Sequence, residues 1–408
     1  MNRRYFLPSF LLVLGIFWYG NSVMPSASSK GLAPDVASFT VAQTAEIVQS
    51  QPQEQLELVA TFNGAMPAGV TVSQDGRIFV TFPRWGDDVP FTVGEIVDRE
   101  VIPYPNANIN LQNSLPEDSL LSVQSVVVDP NNRLWMLDTG RPLFEPASYG
   151  QPKLVGVDLT KNSVFKTLLL PEDVLLPTTY LNDVRFDLTR GAEGIAFITD
   201  SSPEGTNGII AIDLASGDSW RRLGKHPSAL PESNFIPKVE GKPLLNRPAE
   251  GEPSYMTFGT DGIALSNDGS KLYYCVLSGR QLYSVSLNAL SDRNMNEEEV
   301  AATVEDLGEK GASDGMESDS MERIYITDYE HNAIRRRSPQ KMAGSEETLV
   351  FDDRALWPDT LSLANDGYLY FIANQLHRQP GFHKGEDLRK KPYSLFRVAV
   401  DAEPVLLK

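Results

Sequence analysis

The amino-acid sequence predicts an all-β chain folded as a six-bladed β-propeller, on three observations. One strand–turn–strand phrase recurs six times, opening at Gly69, Ser125, Asp183, Asp261, Asp314 and Asp359. Successive openings lie 45 to 78 residues apart, the length of a four-stranded blade with variable loops. Helical periodicity is almost absent, and Asn296 to Val304 is the one short helix the pattern supports. A lone blade leaves apolar faces uncovered, so such units must stack around a shared axis.

At the N-terminus, Arg3 and Arg4 precede an apolar run from Phe6 to Tyr19, and small residues follow at Ser26 to Ser29. This is the layout of a secretory signal peptide over residues 1–29, its apolar run shorter than the roughly 20 residues of a membrane span. The chain is therefore expected to be secreted or periplasmic, free of the membrane once the signal is cleaved, with an uncleaved membrane anchor as the alternative. Residues 30–55, rich in Ser, Ala, Gln and Pro, read as a linker, and 56–408 as the propeller. Leu56 to Phe62 precedes the first phrase and is expected to close the ring as the outer strand of the last blade.

Within each phrase a small or acidic residue opens an apolar strand, and a turn rich in Asp, Asn and Gly leads into a second. Asp75-Gly76, Asp268-Gly269 and Asp366-Gly367 place glycine where such a turn needs positive φ. The segment from Ser216 to Phe258 interrupts the pattern with six prolines and little strand signal. An irregular segment of that length in a compact fold is expected to be functional or a lid.

Composition narrows the partners. With 36 Lys and Arg against 54 Asp and Glu, the formal charge of −18 repels phosphate backbones and anionic membranes. Nucleic acid is thus excluded as an expected partner; a small-molecule ligand and a monomeric state are expected. Cys275 is the sole cysteine, which excludes an internal disulfide. Its strand-like surroundings mark it as a packed hydrophobe.

In a propeller the first strand of each blade lines the central channel, so phrase-opening residues converge at one mouth. Asp183, Asp261, Asp314 and Asp359 are the acidic openers, with Asn182 and Ser313 preceding two of them. Gathered oxygens suit a hard divalent cation such as Ca²⁺; the competing reading is that these aspartates cap local turns. Asp138, Asp200, Asp328 and Asn374 end second strands and are expected to bond the turns between blades. His331 follows a strand end and is a candidate general acid or base beside Asp183, Asp261 and Asp314; His377 is placed similarly. Trp85, Trp357 and Tyr329 are candidates for an aromatic pocket, and Trp135 for the core. Gly311 to Gly315 matches a nucleophile elbow in letters only, since a strand follows where that motif needs a helix.

Leu134 to Gly140, Ala196 to Ser201, Ile209 to Leu214, Gly217 to Arg221, Phe258 to Leu265, the stretch from Lys341-Met342 and Trp357-Pro358-Asp359 resemble, in order, blocks of the major royal jelly/Yellow family. The likeness runs from about residue 56 to 400. It implies a secreted six-bladed propeller, among whose relatives are proteins linked to dopachrome conversion and amine-binding proteins. A more distant likeness is to gluconolactonase/senescence-marker propellers, which hold a divalent cation. Asn182, Asp261 and Asp314 fall where three of those ligands would lie, but Met66-Pro67-Ala68-Gly69 lacks the first-blade Glu. The expected functions, in order, are small-ligand binding with tautomerase- or isomerase-like chemistry, a metal-dependent lactonase, and a non-catalytic scaffold.

Overall fold

The structure, a computed structural model, describes residues 55–111, 119–145, 151–339 and 344–408. The expected signal peptide, the linker up to residue 54 and the Lys341-Met342 pair lie outside the described residues. Six antiparallel four-stranded sheets follow one another around an axis, as the phrase spacing predicts. Their innermost strands are Val70–Val72, Val123–Val128, Leu181–Asp187, Thr260–Leu265, Met316–Ser318 and Pro358–Leu363. The chain runs outward through each blade and returns to the axis to start the next.

The ring is closed by strand exchange between the two ends of the propeller. Glu57–Phe62 pairs with Tyr393–Ala399 as the outermost strand of blade six. The Arg397 guanidinium holds Glu57 across that pairing at 2.7 Å. Closure removes an open edge from the last blade and ties the first residues of the propeller to its last strand.

Alternation in the strands is apolar on both faces because each face meets a different neighbour. In blade three, Phe197, Ile209 and Ala211 pack toward blade four, with Ile263, Leu272 and Tyr274. Ala196, Ile198, Ile210 and Ile212 pack the other way, against Trp135, Leu137 and Leu154 of blade two. Every blade–blade interface carries such a cluster. Cys275 is fully buried between blades four and five, and Trp135 is fully buried, both as expected. Burial of this kind is worth about 25 cal/mol per Å² of apolar surface, so the interfaces dominate stability.

The expected helix forms over Glu297–Ala301, with Asn296 and Glu299 in a reciprocal capping box. A second short helix, Leu287–Ser291, was not legible because its apolar residues continue the core of the preceding strand. The Asp-Gly turns behave as predicted, with φ of 85° at Gly76, 68° at Gly269 and 79° at Gly367. At the end of the axis opposite the phrase openers, Pro404 to Leu406 cross the ends of the inner strands, and the Leu407 carbonyl accepts from the Leu188 amide.

The segment after blade three crosses the phrase-opening end of the axis. Its first residues complete blade three as Ser219–Arg222, and Lys238–Val239 with Lys242–Pro243 form a small hairpin. It is anchored by a seventh apolar cluster that includes Phe235, Val239, Leu244 and Met256 against Tyr329, Trp357 and Phe382. Glu240 at the hairpin turn bonds His377 Nε2 at 2.8 Å and Arg378 Nε at 2.9 Å. Among the described residues no helix is long and apolar enough to cross a membrane.

Candidate functional site

The inner strands break register at one level. Irregularities fall between Val123 and Ser125, Leu181 and Val184, Thr260 and Ile263, and Pro358 and Leu361. A bulge puts extra backbone on one strand and re-aims its side chain. Repeated at one end of the ring, it turns Gln124, Asn182, Asp261 and Asp359 toward the axis, and Asp314 joins them from the approach to blade five. The glycine after Asp261 has a separate reason: a Cβ on Gly262 would lie 2.5 Å from the Asp314 carbonyl oxygen. Glycine lets the strands bearing these two aspartates approach closely.

These residues form the floor of a cavity of about 350 Å³. Trp85, Phe144, Tyr180, Phe258, Leu277, Leu376 and Phe382 build its walls, and the crossing segment adds Asn246, Pro248 and Ser254. Phe144 stacks on Tyr180 at 4.6 Å and on Trp85 at 5.9 Å between centroids. Phe144 holds this place from a left-handed backbone, φ 64°, beside Leu143 at φ 56°. Two bulky residues in that region are strained, a state that persists where surrounding structure imposes it.

The floor is electrically lopsided. Blades two and three contribute the neutral amides of Gln124 and Asn182, and blades four, five and six contribute Asp261, Asp314 and Asp359. Burial is the largest force on all three acids, and it favours the protonated form. The negative charge of Asp314 lifts Asp261 and Asp359 further, and both sit well above the usual carboxylate range. Asp314 is pushed up to about 6, restrained by hydrogen bonds from Trp357 and Asp261. Trp357 Nε1 donates to Asp314 Oδ2 at 2.7 Å, and Asn374 Nδ2 donates to Asp359 Oδ2 at 2.6 Å. Asp261 and Asp314 therefore titrate as a pair, with burial and their mutual repulsion favouring the protonated form.

Asn182, Asp261, Asp314 and Asp359 meet in the cavity as the sequence suggested. Asp183 is beside them but engaged elsewhere: Arg185 Nη1 bonds both its oxygens at 2.9 Å, and Ser125 Oγ donates to it at 2.9 Å. Ser313 is fully buried next to Asp314, its hydroxyl within 3.4 Å of the Thr327 hydroxyl. Tyr329 and Trp357 are behind the wall, stacked at 4.1 Å, so Trp357 reaches the site through its indole N–H. His331 is outside the cavity, with a 60% exposed side chain held by Asp328 at 2.9 Å. His377 is buried, stacked on Trp357 at 5.8 Å.

Of the strand-ending residues, Asp138, Asp200 and Asn374 bond the segments between blades, whereas Asp328 holds His331 and Arg335 of its own blade. Asp138 accepts from the Leu121 and Ser122 amides, and Asp200 from the Tyr180 amide, at 2.7 to 3.0 Å. Among the described residues, no group of three or more His, Cys, Asp or Glu side chains is disposed to hold a metal ion. The floor oxygens have the hard-donor chemistry a Ca²⁺ ion takes, but Asp314 Oδ2 and Asp359 Oδ2 are spent on N–H donors.

Sequence reasoning missed Gln124 because the phrase in blade two was aligned on Ser125. Asn182 occupies the same place before Asp183, and that parallel was the available signal. Phe144, Tyr180, Phe258 and Phe382 gave none, since they come from connecting segments without periodicity.

The sequence model of the major royal jelly protein family matches residues 121–398, spanning blades two to six. The chain belongs to the major royal jelly protein family. It is similar to "Protein yellow" of Drosophila erecta and of Drosophila melanogaster, each 28% identical over 296 residues, 66% of this chain and 50% of the relative. The chain thus spans about half the length of these relatives. Among solved structures the fold is similar to a luciferin-regenerating enzyme, with a TM-score of 0.54 and 11% identity over 87% of this chain and 99% of that one. It is also similar to the calcium-binding protein regucalcin of Agrobacterium tumefaciens, with a TM-score of 0.51 and 12% identity over 86% and 98%. For a putative gluconolactonase the TM-score is 0.52, with 10% identity over 87% and 95%.

Proposed function

We propose that this family member binds a small ring-bearing molecule in the mouth cavity and shifts a proton on it, as a tautomerase or isomerase does. The observation that carries this reading is the set of three adjacent carboxyls, held above their ordinary range, beneath aromatic walls. Tautomerisation needs a base and an acid in one site and no nucleophile. Asp314, titrating near 6, is an effective base at neutral pH, while Asp261, whose buried carboxyl holds its proton more tightly than usual, is the group placed to return one. The flat walls hold a ring, and the acid floor favours a ligand with an N–H or ammonium group.

Purified protein tested by thermal shift against tyramine, catechol and butylamine should be stabilised most by tyramine, which has both ring and amine. Dopachrome loss should be faster with wild-type protein than with Asp314→Asn. Absence of stabilisation by every ligand, together with an uncatalysed rate of dopachrome loss, would sink the reading.

A divalent-metal-dependent lactonase is the second reading, favoured by the three carboxyls of the floor and by the fold shared with regucalcin and a putative gluconolactonase. In it Asn182, Asp261 and Asp314 would hold the cation, which would polarise a lactone carbonyl. Chelation followed by Ca²⁺ or Zn²⁺ addition, read by melting temperature and lactone hydrolysis, decides between the two. A non-catalytic scaffold is favoured if Asp261→Asn changes stability alone. We read the chain as exported, which fusion of residues 1–29 to a secretion reporter tests.

A further inference from the structure

Hydrogen-bond polarity fixes one feature of the floor. Trp85 Nε1 lies 2.7 Å from the Tyr180 hydroxyl oxygen, and that oxygen lies 3.1 Å from Gln124 Oε1. An indole nitrogen only donates, so the Tyr180 oxygen accepts from Trp85. The single Tyr180 proton must then go onward, since Tyr180 is buried and an unused hydroxyl proton there is costly. Its acceptor is Gln124, and only the carbonyl oxygen of that side chain accepts. The Gln124 amide is therefore locked with Oε1 toward Tyr180 and its NH₂ group free. Neither that nitrogen nor the Asn182 carboxamide bonds another described residue, and both side chains line the cavity while more than nine-tenths buried.

We infer that Gln124, with Asn182, is the hydrogen-bond-donating arm of the site and takes a carbonyl oxygen on the substrate ring. The inference rests on the proton-shifting reading above and names its substrate class: a cyclic carbonyl compound with an acidic C–H next to that carbonyl. In the step, the Asp314 carboxylate takes the C–H proton. The C–H electron pair becomes a ring C=C bond, and the carbonyl π pair moves to oxygen, where the Gln124 and Asn182 N–H groups stabilise it. Protonated Asp261 then gives its proton to that oxygen, so the enol tautomer forms. One proton has moved, one has been replaced, and nothing is oxidised or reduced. Tyr180 and Trp85 are positioning residues, acting through the orientation of Gln124.

The test uses two rings of similar size at pH 7.5, isatin with two carbonyls and indoline with none. Wild-type protein should bind isatin roughly tenfold more tightly, as one to two added hydrogen bonds imply. Bound isatin should show a carbonyl stretch lowered from its value in an apolar solvent. Gln124→Met should bring the affinity ratio close to one and return the stretch to that value. Tyr180→Phe should do so in part, because the amide is then free to rotate. Melting curves restrict the comparison to folded variants, and Trp85→Phe, which leaves the Tyr180–Gln124 bond in place, provides a milder variant with a smaller loss. Equal affinities in the wild type, or an unchanged ratio and stretch in folded Gln124→Met, overturn the inference. If tyramine binds and isatin does not, the inference falls alone; if neither binds and dopachrome is untouched, the proposed function falls with it.

Discussion

Replacing Trp357 with Phe isolates the restraint on Asp314. In the native protein the indole N–H donates to Asp314 Oδ2 at 2.7 Å, and the two side chains are buried from water. A hydrogen bond to a charged group is worth about 1.5–3 kcal/mol, which at about 1.4 kcal/mol per unit is about one to two pKa units. The bond favours the carboxylate, so removing it raises the Asp314 pKa. Starting from about 6, the variant should titrate at about 7 to 8. The rising limb of proton-transfer rate, or of binding to the ionised site, should move to higher pH by the same interval. Phenylalanine keeps the stack on Tyr329, at 4.1 Å in the native protein. The lost volume should cost roughly 1–2 kcal/mol of stability. Carboxyl ¹³C shifts of Asp-labelled protein report the titration directly, with Asp314→Asn assigning the signal. An unmoved Asp314 titration in folded Trp357→Phe would refute the reasoning, because the indole would then not set the proton affinity.

Asp261→Asn should raise the melting temperature at pH 8. The native pKa of Asp261 is above its ordinary value of 3.8, so the folded state keeps this proton longer than the unfolded chain does. Its favourable contribution is complete below about pH 3.8 and is lost as pH rises toward the native pKa. The gain from Asn should therefore shrink as the melt is repeated at lower pH, and a pH-independent difference would contradict it. Gly262→Ala should destabilise by about 1–3 kcal/mol in denaturant melts, since its Cβ would press on the Asp314 carbonyl. Starting the chain at Asn63 removes the outer strand of blade six and should lower the melting temperature sharply and promote aggregation, seen by scattering. His331→Ala should leave ligand affinity within twofold, because that exposed ring is outside the cavity.

The ring was legible because each blade repeats one local rule. Apolar strands end at Asp-Gly turns such as Asp268-Gly269, and that signal is contained in about a dozen residues. The acids of the floor were legible for the same reason, being tied to a fixed position in the phrase. What escaped was set by three-dimensional closure. Phe144 and Phe382 belong to different blades and line one cavity only after the ring has formed, so no window of sequence contains both. Asp183 shows the converse. Its letter matches the other openers, yet Arg185, two residues on, captures its carboxylate and removes it from the site. A two-residue offset along a strand places both side chains on one face, so that pairing was available in principle.

The lopsided floor explains why a symmetric ring makes one chemical site. Six blades offer six equivalent places around the axis, and equal charges in all of them would repel one another. Here acids occupy three consecutive blades, amides occupy two, and in the remaining place Ala68 offers only a buried methyl group. Burial, and then crowding of the acids, raise the proton affinity of Asp261 and Asp359, and the indole of Trp357 lowers that of Asp314 between them. One group is thereby poised to accept a proton while its neighbours are poised to give one. The amides opposite supply neutral donors that do not quench this difference, as a cation in their place would. Exchanging the two halves in charge, with Gln124→Glu and Asp314→Asn together, should therefore not restore proton transfer. The new carboxylate would sit against the Tyr180 hydroxyl and lack the indole donor of Trp357. Recovery of dopachrome conversion by that double variant would show that acid content alone, and not its placement, carries the activity.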